Sequence, residues 1–227
     1  MGRTAFEMKR GLQRNPRVCP VCLFVDDGVR NHIDALFYER ATDIATRATI
    51  RAARGFCRFH ARLVSRQADA LGTALIMQDV LVNDLRDLRN GAYERRAVRS
   101  GPFSRFFGSQ EGAPERAPCP LCEVERDIDL LAVDSLLEGL GDAEFVALFR
   151  KSEALCVPHF RLAHDRCSDE QRWREVLTVE EEVLSRMTEA LGELARKYDY
   201  HSHEKPQGDE ADVWRRALDM TSQQIGE

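Results

Sequence analysis

Apolar residues recur along this chain at intervals of three and four, the period of helices lying on a core. In "LFVDDGVRNHIDALFYERA", after Cys22, the residues Phe24, Val25, Val29, Ile33, Leu36 and Phe37 share one side of a helix. Asp43 and Asp142 stand where each would cap a second, shorter helix, and Gly55 is placed to end the first of these. Beyond His60 one long helix is expected, with Leu63, Leu71, Leu75, Val82, Leu85 and Leu88 along one side. Its counterpart carries Val176, Leu177, Val183, Leu184, Met187, Leu191 and Leu194. Both stripes are read as core or helix-to-helix packing, since Leu and Val offer no chemistry. With no convincing strand pair, the predicted fold class is all-α.

The helical pattern occurs twice. "CPVC" at residues 19 to 22 returns one hundred positions later as "CPLC" at 119 to 122. Cys57 and His60 in "GFCRFH" return 99 positions later as Cys156 and His159 in "ALCVPH". The flanks agree: Leu36 with Leu136, Asp43 with Asp142, Arg51 with Arg150, Leu63 with Leu162. The expected organisation is a first unit over 1–98, a linker over 99–118, a second unit over 119–201, and a C-terminal helix over 202–227. Gly, Pro and Ser mark the linker, although Phe103, Phe106 and Phe107 make it apolar enough to dock in part. Trp214 in the last amphipathic helix is expected to pack back on the body.

Charge divides the halves. Residues 1–110 carry 19 Lys and Arg against 11 Asp and Glu, and the remainder 14 against 27, for a net charge of -5. A basic half raises the possibility of nucleic-acid binding, but its arginines are spread along helices and form no single block. Attraction between the halves, or to a second copy, explains the imbalance more simply. No stretch is apolar over the roughly 18 residues of a membrane span, and the N-terminus lacks a signal-like apolar core. The expected location is the cytoplasm, where thiols stay reduced and repeated Cys spacings indicate metal or redox chemistry.

Two cysteines separated by two residues can share one ion, and a second pair of donors some 35 residues on completes a tetrahedron. Cys19, Cys22, Cys57 and His60 are expected to form one Cys3His set, and Cys119, Cys122, Cys156 and His159 the other. Each set would close its own unit around one ion, two per chain. Zinc suits thiolate and imidazole donors with no open position. An iron-sulfur cluster is the competing occupant, although cluster sites more often use cysteine alone. Buried cysteines without metal would not place both tetrads in register, and a disulfide framework leaves both histidines without a role. Placing CPxC at a helix start lowers thiol pKa, and Phe56 and Leu155 are positioned to shield the sulfurs.

Weaker candidates read as ordinary structure. Cys167 has no counterpart, a thioredoxin-like role for CPxC lacks its βαβ setting, and His201, His203 and Glu204 suit a polar helix end. His32 and His164 are unpaired in the repeat, and Glu39, Asp43 and Arg47 are explained by capping and a surface ion pair. No phosphate-binding loop, Ser/His/Asp arrangement or HExxH motif is present.

The order CPxC, "ERATD", "GFCRFHA", a linker, a second CPxC with its CxxH, and a closing "WRRAL" resembles an uncharacterised bacterial family, a domain of unknown function, over residues 17 to 226. The resemblance implies a helical, metal-binding bacterial protein with the eight Cys and His positions as ligands, and it supplies no activity. The second motif, "ALCVPH", departs from the more typical "GFCRFH". The expected role is therefore a non-enzymatic zinc scaffold with a protein partner. A redox sensor or electron carrier and a nucleic-acid-binding regulator are the alternatives.

Overall fold

The computed structural model of the chain describes residues 2–93, 115–198 and 204–222. Among them are ten α-helices, a single 3-10 turn at Gly208–Glu210 and no strand, which bears out the all-α expectation. The helices are α1 (Arg3–Arg14), α2 (Pro20–Glu39), α3 (Ile44–Ala52), α4 (Arg58–Gln67) and α5 (Ala70–Arg89). They continue with α6 (Pro120–Gly139), α7 (Ala143–Phe149), α8 (Val157–Arg166), α9 (Glu170–Lys197) and α10 (Val213–Thr221). Phe103, Phe106, Phe107, His201 and His203 lie outside the described residues.

The chain divides into two compact units, and neither is a contiguous half. One comprises Met1–Val29 with Glu125–Glu227, the other Arg30–Val124. The division falls inside α2 and inside α6, so each CPxC segment is grouped with the other half's CxxH segment. The boundaries at 98 and 119 that the repeat suggests are not where this division falls. α2 is an unbroken 20-residue helix whose two ends belong to different units. Past α3 the backbone turns tightly, with Arg54 at φ 52° and Gly55 at φ 92°.

In the unit Arg30–Val124, the end of α2 buries Ile33, Leu36 and Phe37. Asp43 caps α3 through the Thr46 amide at 2.7 Å, as its position suggests. Gly55 closes the other end, donating its N–H to Ile50 O at 2.9 Å from a left-handed conformation that favours glycine. α3 packs on α5, where Arg51 meets Asp79 at 2.6 Å and Arg54 bridges Asp84 and Asp87. Arg116 donates to the Ala53 and Phe56 carbonyls, fastening the stretch before Cys119 beside the stretch before Cys57.

The expected long helix after His60 is two helices. α4 ends at Gln67, and Asp69 starts α5 by accepting the Leu71 and Gly72 amides. The stripe expected to be core is largely in solvent on α5, where Leu71, Val82, Leu85 and Leu88 are exposed. The break resets the helical phase, so Ile76 and Val80 take the buried face. The same break separates α8 from α9, with Asp169 capping α9 through Gln171 and Arg172.

In the unit Met1–Val29 with Glu125–Glu227, α1 is a helix that the sequence pattern does not single out. It lays Ala5, Met8 and Leu12 against α7. Asp142 caps α7 through the Phe145 amide at 2.9 Å. Gly28 lets α2 and α6 approach closely, since a Cβ there would stand 3.0 Å from Ile128 Cδ1. α10 packs on α8 and α9 by burying Val213 and Met220. Trp214, expected to be the anchor, is instead half-exposed with the Arg215 guanidinium 4.9 Å over its ring.

Candidate metal centres

The eight predicted Cys and His residues come together in two groups, with partners exchanged relative to the expected sets. Cys19 and Cys22 meet Cys156 and His159, while Cys57 and His60 meet Cys119 and Cys122. In each group the four donor atoms lie within 4.8 Å of one another. The composition stays Cys3His, and each group lies wholly inside one compact unit.

Each group is built from two helix starts. Cys19 precedes α2 and Cys22 is its third residue; Cys156 precedes α8 and His159 is its third residue. α6 and α4 repeat the arrangement with Cys119, Cys122, Cys57 and His60. The cap and third positions face the same way at a helix end, so a helix start presents two donors together. Pro20 and Pro120 suit the first helical position, where a missing N–H costs nothing. Two positive helix ends converging on one point favour thiolates over thiols. At the second group the helix supplies more: the His60 amide donates to Cys57 Sγ at 3.4 Å.

In the first group His159 Nδ1 lies 3.0 Å from Cys156 Sγ, 3.3 Å from Cys22 Sγ and 3.5 Å from Cys19 Sγ. Its other nitrogen, Nε2, is 2.9 Å from Asp129 Oδ1. In the second group His60 Nδ1 lies 3.2 Å from Cys57 Sγ, 3.4 Å from Cys122 Sγ and 3.8 Å from Cys119 Sγ. Both histidines are buried, as are Cys19, Cys119 and Cys156, whereas Cys22, Cys57 and Cys122 are partly exposed.

Protons are held unevenly in these groups. Hydrogen bonds with Cys156 and Cys19, together with burial, hold the Cys22 thiol far above its ordinary range. Hydrogen bonds from Cys19 and Cys22 depress Cys156 to about 4. In the other group burial, then the Cys57 hydrogen bond, pushes Cys122 up to about 12. Burial works against Cys119 ionising, but the His60 hydrogen bond and nearby amides outweigh it and lower its pKa. Thiols this close cannot all ionise together unless a cation compensates them. The donor sets therefore fit a metal ion, and the two groups can each hold one.

Two acids missed in the sequence reading support the first group. Asp129 on α6 is buried against His159; burial disfavours the imidazolium, but the Asp129 and Cys19 hydrogen bonds overcome it and raise His159 to about 9. Glu180 on α9 is buried and accepts the Leu155 amide at 3.2 Å, one residue before Cys156. Burial raises its carboxyl to about 7 despite that hydrogen bond. The repeat held a signal for both, because the positions one hundred residues earlier are Val29 and Val80. A charge at a core position of one copy, where the other copy has valine, has a local partner.

Of the weaker candidates, Cys167 ends α8 and bonds the Asp169 carbonyl outside both groups. Arg47 pairs with Asp79, and His164 is exposed beside Asp165. No helix among the described residues is long and apolar enough to cross a membrane.

The sequence profile of a family of unknown function (DUF6062) matches residues 11–227. The chain belongs to this family. An uncharacterized 23.9 kDa protein in the xynA 3' region of Caldicellulosiruptor sp. (strain Rt8B.4) is 23% identical over 206 residues, covering 90% of this chain and 94% of that protein. No solved structure matches the chain with significance. The DUF6062 assignment agrees with the resemblance carried by the CPxC and CxxH motifs and brings no activity with it.

Proposed function

We propose that this DUF6062 protein binds two zinc ions, one per Cys3His group, as crosslinks of a duplicated helical scaffold that docks another protein. The observation that carries the reading is the convergence of four soft donors within 4.8 Å, twice, at paired helix starts. Zinc bonded to sulfur at about 2.3 Å and to imidazole at about 2.0 Å sets tetrahedral donors roughly 3.5 to 3.8 Å apart. The sulfur-to-nitrogen separations of 3.0 to 3.8 Å suit one such ion. An iron-sulfur core needs its ligand sulfurs spread around several irons, so the tight sets favour a single ion over a cluster.

Four protein donors leave no open position, so the ion joins helix ends and offers no Lewis-acid catalysis. Duplication is supported by the matched lengths of α2 and α6, 20 residues each, and of α4 and α8, 10 each. Free thiols at all seven cysteines suit the reducing cytoplasm. Elemental analysis with an ultraviolet-visible spectrum, on protein purified without oxygen or added metal, tests the reading. About two zinc per chain and no absorbance near 400 nm support it, and iron with sulfide overturns it.

One observation favours a second, redox-linked reading. Cys19, Cys22 and Cys156 border a cavity of about 260 Å³ that Met187, Met220 and Arg216 also line. A peroxide entering it would take two electrons from the Cys22 and Cys156 thiolates, whose sulfurs are 3.5 Å apart. A disulfide forms, the peroxide is reduced to two hydroxides, and the ion loses two donors and leaves. Release of one zinc to a chromogenic indicator per peroxide consumed supports this reading. Retention of both ions overturns it.

A further inference from the structure

α5 carries a face that its own unit does not use. Leu71, Ala74, Gln78, Leu81, Leu85 and Leu88 are all exposed, and four of them are large apolar residues at 70%, 65%, 44% and 58% exposure for Leu71, Leu81, Leu85 and Leu88. Their spacing alternates three and four without interruption, the two-position seam by which one helix packs along another in a coiled coil. Val82 and Met77 flank the seam, and with Ala74, Gln78, Leu81 and Leu85 they form a shallow apolar groove.

The fold does not require this face. α9 starts with the same cap, Asp169 for Asp69, each accepting the amides two and three residues on. Counted from that cap, the equivalent positions of α9 are just as exposed but polar. Glu181 stands for Leu81, Ser185 for Leu85, Thr188 for Leu88, and Gln171 and Arg174 for Leu71 and Ala74. At the seam positions the two helices thus present opposite surfaces to solvent, while α9 exposes Leu177 and Leu184 beside them at 42% and 43%. Exposed leucines kept in strict seam register on one of them indicate a covered surface.

We infer that α5 is a dimerisation helix whose stripe packs against the α5 stripe of a second copy of this chain. A seam of this spacing takes a helix of like pattern, and α5 is itself such a helix. Asp84, which pairs with Arg54 in its own chain and keeps a part-exposed carboxylate, and Arg89 flank the stripe five residues apart, the separation at which flanking charges of two parallel paired helices face each other. Gln78 sits mid-seam, where a polar residue fixes register. This goes beyond the zinc reading and stands on α5 alone, so counting metal and measuring mass test the two separately.

The test is the mass of the full-length, metal-loaded chain by light scattering across a concentration series, with hydrogen exchange at 71–88. Pairing predicts a rise from 25.9 kDa toward twice that value, with protection of 71–88 growing in step. The double substitution L81E/L85S, which installs the α9 residues, is expected to stay at 25.9 kDa with unchanged helical circular dichroism. A wild-type chain that remains monomeric at every concentration overturns the inference, including one whose 71–88 amides are protected at all concentrations by its own chain. So does a folded double variant that dimerises like the wild type. Should the double variant not fold, the wild-type mass and exchange series decides alone.

Discussion

His159 is held from both sides: Asp129 Oδ1 lies 2.9 Å from its Nε2 while Cys156 Sγ lies 3.0 Å from its Nδ1. A carboxylate on the far nitrogen fixes the ring orientation and makes the near nitrogen a better donor to a metal. Asp129→Asn is therefore expected to weaken one of the two metal equivalents by about 10- to 100-fold. Competition with a chromogenic chelator should resolve one unchanged and one loosened ion. Two ions released together as in the wild type would mean that Asp129 does not tune the site.

The exchange of CPxC partners has its own test in paired substitutions. Cys22→Ser with Cys156→Ser removes two donors from one group, so the chain should keep one ion. Cys22→Ser with Cys57→Ser removes one donor from each group and should compromise both. Grouping within the sequence halves predicts the reverse. Because binding energy in such sites is largely folding energy, of order 10 kcal/mol, the first pair should melt one unit and spare the other. Metal content and a two-step melting curve read the result.

How much of this was legible follows from which signals are local. Asp43 and Asp142 were readable as caps because a cap depends on the next three residues. The eight Cys and His residues stand out because their spacing repeats, but which of them meet does not. Partnering depends on which helix starts the fold brings together, and nothing in "CPVC" or "GFCRFH" states that. The α5 stripe misled for a related reason. Leu71, Leu85 and Leu88 have helical spacing, but periodicity marks a face without saying whether the fold buries it. Here the Asp69 cap restarts the helix and Ile76 and Val80 occupy the core side.

Glu180 predicts a pH dependence of stability. Its carboxyl titrates near 4.5 when unperturbed and near 7 when buried in the folded chain. Between those values the native state keeps a proton that the unfolded state has released, so raising the pH through this window costs stability. The cost is fully present above pH 7 and, allowing for screening by solvent, is about 2 kcal/mol. Glu180→Gln keeps an acceptor for the Leu155 amide and carries no charge. Its stability relative to wild type should be level below about pH 4.5 and should climb to a gain of about 2 kcal/mol by pH 8. Denaturant melts at a series of pH values measure that difference, and a difference that stays flat would mean that Glu180 ionises as freely in the folded chain as in the unfolded one.

The approach to each CxxH motif passes through left-handed backbone: Arg54 and Gly55 at φ 52° and 92° in one, Ala154 at φ 55° in the other. A side chain in that region costs about 1 to 2 kcal/mol relative to glycine. A Cβ on Gly55 would meet nothing within 4 Å, so Gly55→Ala isolates the backbone term from any clash. The expected loss is about 1 kcal/mol, a fall in melting temperature of a few degrees for a chain of this size. Ala154→Gly should gain less than the same amount, because the Ala154 methyl is fully buried and its removal gives up packing that offsets the relieved strain. Thermal melts of the two variants separate these contributions. An unchanged melting temperature for Gly55→Ala would mean that position 55 does not hold a left-handed conformation, and with it would go the tight turn that leads into Cys57.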